Sequence, residues 1–134
     1  MKKLILITCL FIIQTFQVLS NEQNLKEILN GLNSPWSISF INENKVLVTE
    51  KSGNLILADL KNKKLKKLKH NLQILEDGQG GLLEVLYFDE KVFVSYSENL
   101  KNGNSSTSVA SAKFNEDALN FKNIFRAEPP INSG

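Results

Sequence analysis

Lys45-Val46-Leu47-Val48-Thr49-Glu50 and Lys91-Val92-Phe93-Val94-Ser95-Tyr96 are two versions of one strand, the second beginning 46 residues after the first. Each opens on a lysine, runs through aliphatic or aromatic residues and reaches a hydroxyl side chain at its fifth position. Asn42-Glu43-Asn44 precedes the first and Asp89-Glu90 the second, both turn sequences. Residues of this kind fit a pleated, half-buried strand, and the punctuation is that of hairpins.

Working outward, Trp36-Ser37-Ile38-Ser39-Phe40 alternates large apolar with small polar residues, so Trp36, Ile38 and Phe40 are expected to share a face. After a turn at Lys51-Ser52-Gly53-Asn54, Leu55-Ile56-Leu57-Ala58-Asp59-Leu60 reads as a third strand. Asn62-Lys63 starts a third turn, and Leu65, Leu68 and Leu72 continue into a fourth, lysine-covered strand with Leu60, Leu65 and Leu68 turned inward. The second unit comprises Leu82 to Phe88, Lys91 to Tyr96, an Asn/Gly/Ser-rich loop at 99–106, Thr107 to Phe114 and Ile124-Phe125. Before Pro35, Leu25, Ile28, Leu29 and Leu32 mark one face of a weakly helical or irregular segment.

Antiparallel four-stranded units recurring at this spacing predict an all-β fold, the first two to three blades of a β-propeller. A sandwich of similarly spaced hairpins is the alternative. At this repeat the chain makes about two and a half blades, whereas about 4 to 8 close a propeller. It is therefore expected to be the N-terminal part of a longer protein, residues 21–134 forming the propeller part.

Residues 1–20 read as a signal peptide. Met1-Lys2-Lys3 is a positive start, Leu4 to Ile13 an apolar run too short to span a bilayer, and Val18-Leu19-Ser20 a cleavage site. This predicts export to a bacterial periplasm or beyond, without a stable membrane anchor. The whole chain carries 16 basic and 14 acidic residues. Loss of Lys2 and Lys3 leaves a neutral mature chain, which argues against nucleic acid as a partner. The one cysteine, Cys9, lies in the leader, and His70 is the one histidine. No internal disulfide and no thiolate–imidazole zinc site can be built from them.

Asp77-Gly78-Gln79-Gly80-Gly81 holds three of the seven glycines and stands between the two units. A tight connecting turn explains it plainly. The site reading rests on Gln79, a long amide set among glycines, able to donate and accept toward a polar ligand. No Lys-Ser/Thr follows, so this is not a phosphate cradle. The six lysines of Lys61–Lys69 suit a solvated outer strand, with an anionic surface as the sharper alternative. His70 reads as a surface residue rather than a base, and Glu84 as a buried structural acceptor or a support for the site.

Six phrases in order resemble the soluble PQQ-dependent aldose sugar dehydrogenases, the glucose/sorbosone dehydrogenase family. They are Leu32 to Phe40, Leu47 to Gly53, Gly78 to Val85, Val94 to Ser97, Ser106 to Ala110 and Ile124 to Ala127. The resemblance implies a six-bladed propeller, with pyrroloquinoline quinone (PQQ) and calcium on its axis. It also implies oxidation of a sugar's anomeric hydroxyl and a separate electron acceptor. Gln79 would line the pocket, with Gly78, Gly80 and Gly81 shaping the loop. The family's catalytic histidine is expected just after Gly134, and its calcium ligands later still, so neither is expected in this chain. The family usually has Asp at the position of Glu84. A propeller binding module without a quinone site, or a propeller hydrolase with acidic metal ligands, shares the scaffold and stays open on fold alone.

Overall fold

A computed structural model describes residues 25–100 and 103–132. The proposed leader and Cys9 lie outside the described residues. The first sheet is built from β1 (Pro35–Asn42), β2 (Lys45–Glu50), β3 (Leu55–Asp59) and β4 (Lys64–His70), each antiparallel to the next. The second runs through β5 (Leu82–Phe88), β6 (Lys91–Asn99), β7 (Asn104–Lys113) and β9 (Lys122–Arg126), again antiparallel throughout. β10 (Ile131–Asn132) adds a short pairing to β7. These are the two units read from the sequence, with β2 and β6 starting at Lys45 and Lys91.

One strand departs from the antiparallel expectation. β8 (Ala118–Leu119) follows β7 in the chain, yet pairs in parallel with β4 of the first sheet, Lys69 against Ala118 and His70 against Leu119. Asn71 extends this join, because its amide nitrogen donates to the Phe121 carbonyl (3.0 Å) and its oxygen accepts the Phe121 N–H (2.8 Å). Strands β6 and β7 also reach into the loop expected at 99–106, β6 ending at Asn99 and β7 beginning at Asn104. The segment before Pro35 forms no helix in its described part; Leu29 and Leu32 pack on the first sheet while Leu25 and Ile28 remain exposed.

The main core lies between the sheets, where Leu47, Leu55, Leu57 and Leu68 meet Leu82, Val85, Val92, Val94 and Tyr96. Leu119 and Phe121 join it from the crossing segment. On the far side of the first sheet Val46, Val48, Ile56 and Ala58 are covered by Leu29, Leu32 and Leu60. Leu65 is corrected by strand parity. Three residues from the buried Leu68, it faces the opposite side, beside Gly31, and is 37% exposed.

Trp36, Ile38 and Phe40 do share a face, but that face is exposed. The serines between them are the ones that meet the second sheet. β1 packs closely against β5, and small side chains suit that face while the large ones turn away from it. The seam is accordingly polar: Ser39 Oγ accepts the Tyr87 N–H at 2.8 Å, and Thr49 Oγ1 donates to the Leu83 carbonyl at 2.5 Å.

Candidate functional site

The glycine cluster forms the connection from the first sheet to β5. Its lead-in is fixed along β6: the Leu75 N–H donates to the Ser97 carbonyl (2.9 Å), and the Asn99 N–H to that of Gln73 (2.9 Å). The chain then turns on Asp77–Gly80, closed by the Gly80 N–H on the Asp77 carbonyl at 2.6 Å. Gly78 has φ +51°, while Gln79 keeps a negative φ, the pattern of a type II′ turn that favours glycine at its first central position.

Gly81 answers to a different constraint. A Cβ there would lie 2.3 Å from the Lys51 carbonyl oxygen, so only glycine lets the turn rest on the end of β2. The Leu82 N–H donates to that carbonyl (3.1 Å), and the Ser97 N–H donates to the Gly81 carbonyl (2.8 Å). At Gly80 a Cβ would meet Ser97 Oγ at 2.7 Å. From the other side Lys51 Nζ donates to the Gly78 carbonyl at 2.5 Å. The turn is thus held by the first sheet through Lys51 and by the second through Ser97.

Gln79 stands at the exposed tip of this turn, and its amide has no hydrogen-bond partner among the described residues. A fixed backbone carrying a free amide can hydrogen-bond a polar ligand in either sense; it cannot transfer a proton. Beside the turn lies a cavity of about 260 Å³ lined by Leu75, Asp77, Gly80, Ser97, Ser105, Ile131 and Asn132.

Glu84 is exposed, not buried as one reading had it. The pairing of β5 with β6 is irregular between Leu82 and Val85, and this shift puts Val85 rather than Glu84 on the core side. Its Oε1 accepts the Ser37 hydroxyl proton at 2.6 Å. No hydrogen bond joins it to Gln79.

His70 is half-buried rather than a free surface residue, and it serves as a clamp. Nδ1 accepts the Leu72 N–H (3.3 Å), which leaves Nε2–H to donate to the Gly53 carbonyl (2.8 Å). Phe121 meets the ring edge-on at 6.4 Å between centroids. With both nitrogens engaged, His70 is not a base in this arrangement. It borders an open groove of about 820 Å³ with Ser52, Lys67, Lys69 and Gln73, none of whose lining residues belongs to the glycine turn. The six lysines of Lys61–Lys69 are all exposed, and Lys66 pairs with Asp117 at 2.5 Å. Among the described residues no three histidine, cysteine or acidic side chains converge as metal ligands.

Two participants escaped the sequence reading. Lys51 was read only as a turn residue, since its role depends on a contact 27 residues away. Glu98 was not singled out, yet it gathers Arg126 in two hydrogen bonds of 2.7 Å, Ser108 Oγ at 2.6 Å and Asn123 at 3.2 Å. The Arg126 hydrogen bond is the main reason its carboxyl lies below the usual range, and burial raises the Tyr96 hydroxyl beside it. This group braces β6, β7 and β9. The only advance sign of it was the glutamate's place at the end of an apolar strand.

A sequence model of the family described as Glucose / Sorbosone dehydrogenase matches residues 32–134. A solved glucose dehydrogenase is 33% identical, with a TM-score of 0.73 over 81% of this chain and 34% of its own. The soluble aldose sugar dehydrogenase of Escherichia coli, in its apo form, is 27% identical at TM-score 0.69, over 78% of this chain and 33% of its own. The PQQ-bound aldose sugar dehydrogenase of Streptomyces coelicolor shares the fold at 20% identity and TM-score 0.68, over 78% and 34%. The chain spans about a third of the length of these structures. A comparison with curated proteins found no match. The two sheets are therefore blades of the propeller found in sugar dehydrogenases of this type.

Proposed function

The chain belongs to the glucose/sorbosone dehydrogenase family, and from that premise we propose that it supplies the first blades of an exported quinoprotein oxidising the anomeric hydroxyl of an aldose sugar. When bound, PQQ supplies the two-electron acceptor for the hydride leaving the anomeric carbon. Residues of this chain bind and orient. Gln79 offers its amide to the sugar or to the quinone, while Gly78, Gly80 and Gly81 shape the turn that presents it. The residues present fit a polar contact in such a pocket, because the Gln79 amide stands exposed on a turn that Gly80 and Gly81 let rest against Ser97 and Lys51. They do not fit calcium, since no ligand set converges among the described residues. We place the calcium ligands and the proton-accepting histidine in the longer protein, the histidine just after Gly134. A small-molecule sugar and an electron acceptor are the partners that follow.

The observation that carries this reading is the free amide of Gln79 on a turn fixed from both blades within the family-matched segment. Dye-reduction assays on the full-length protein test it. Gln79→Ala is expected to lower kcat/KM by about 5- to 150-fold without abolishing turnover. Residues 1–134 alone are expected to show no turnover even with quinone and calcium supplied. Unchanged kinetics in Gln79→Ala would reduce the residue to a turn element, and turnover by residues 1–134 would overturn the assignment. Residues 1–20 are proposed as the signal peptide, and mass spectrometry of the exported protein is expected to give Asn21 as the first residue.

A further inference from the structure

We propose that Lys51 is the positioning residue of the Gln79 turn: its ammonium fixes the peptide plane that carries Gln79 and so sets where the Gln79 amide points. This inference rests on the reading of Gln79 as a ligand-binding residue. Lys51 is anchored first, because its N–H donates to the Ser34 carbonyl (3.1 Å) at the start of β1. Its carbonyl then receives the Leu82 N–H, immediately beyond the turn. Its stem lies across Gly81, where a Cβ would come within 2.9 Å of Lys51 Cγ, and its Nζ ends on the Gly78 carbonyl. One residue of the first blade thus spans the turn from its exit back to its first central residue.

The atom it reaches decides the matter. The Gly78 carbonyl belongs to the central peptide of the turn, whose far side is the Gln79 nitrogen. Rotating that peptide by about 180° interconverts the II′ and I′ forms, and with them the direction of the Gln79 side chain. In the I′ form Gln79 would need a positive φ, which a non-glycine residue adopts at a cost. That cost alone leaves some freedom. A charged donor on the carbonyl removes the rest, since a flipped carbonyl would turn away from the ammonium. The bond is at the surface, so the expected effect is modest.

The test is a double-mutant cycle in the full-length protein, measured by dye reduction and by hydrogen exchange of the peptide containing Gly80. Lys51→Met keeps the stem over Gly81 and removes the donor. It is expected to lower kcat/KM by about 3- to 10-fold and to speed exchange of the Gly80 amide. Lys51→Arg, which restores a charged donor, is expected to recover most of the loss. In a Gln79→Ala background Lys51→Met is expected to change kcat/KM by less than about 2-fold, because the side chain it aims is gone. Wild-type kinetics in Lys51→Met, or the same loss with and without Gln79, would overturn the positioning role while leaving Gln79 in place. Wild-type kinetics in Gln79→Ala would overturn both.

Discussion

Ser37 of the first blade's innermost strand donates its hydroxyl to Glu84 of the second at 2.6 Å, and the same oxygen faces the Val85 N–H at 3.4 Å. Two residues along, Ser39 repeats the pattern with Tyr87. Single hydroxyls therefore link β1 to β5 beside the apolar core that lies between the two sheets.

Ser39→Ala is expected to destabilise the full-length protein by about 1–3 kcal/mol, since Ser39 is only 8% exposed and its loss leaves the Tyr87 N–H without an acceptor. Ser37→Ala is expected to cost less, because its site is wetter. Urea unfolding of the two variants gives the order, and a larger effect at Ser37 would contradict it.

Gly78→Ala tests the positive φ alone, whereas Gly81→Ala, at φ +153°, adds a steric clash to it. At Gly78 the space is open and only the positive φ resists, so about 1–2 kcal/mol is expected. At Gly81 the added methyl meets backbone 2.3 Å away, and loss of the folded turn is expected. Melting temperatures of the purified variants decide; equal shifts would mean the Lys51 carbonyl yields freely.

Glu98 confers a pH dependence whose sign is fixed. Its folded-state carboxyl lies below the ordinary value of 4.5, so the stabilisation is complete above about pH 4.5 and is lost as pH falls through the folded value. Glu98→Gln is expected to lower the denaturation midpoint at pH 7 and to flatten the fall of stability below pH 4.5. Parallel acid limbs for wild type and variant would show that Arg126 and Glu98 contribute nothing through charge.

Residues 21–134 expressed alone are expected to self-associate. Trp36, Ile38 and Phe40 on one outer face, and Leu86 and Phe88 on the other, are all at least 46% exposed. Sedimentation velocity across a concentration series measures this, and a strictly monomeric boundary would show that these faces are tolerated in water.

The strand order was readable because it follows from local signals: alternation in Trp36–Phe40, turn residues at Asn42–Asn44 and Asp89–Glu90, and a strand repeated from Lys45 at Lys91. The glycine turn was readable as a turn for the same reason. Which face of β1 is covered was not, since alternation gives the period but not the side on which a second blade sits. Glu84 was misplaced by an irregularity in β5 that no residue type announces. Lys51, Glu98 and the join of β8 to β4 depend on partners far apart in the chain, where periodicity is silent.

That join has a consequence for how the protein is made. The first blade's outer strand ends on partners at Ala118, Leu119 and Phe121, so it stays incomplete until residues roughly 50 positions farther along the chain are available to it. Until then Lys69 and His70, at the end of the lysine-rich strand, lack their neighbour on the outer side. Folding of the first blade is thereby tied to arrival of the second, and the two are expected to appear as one protected unit in pulse-labelled hydrogen exchange during refolding.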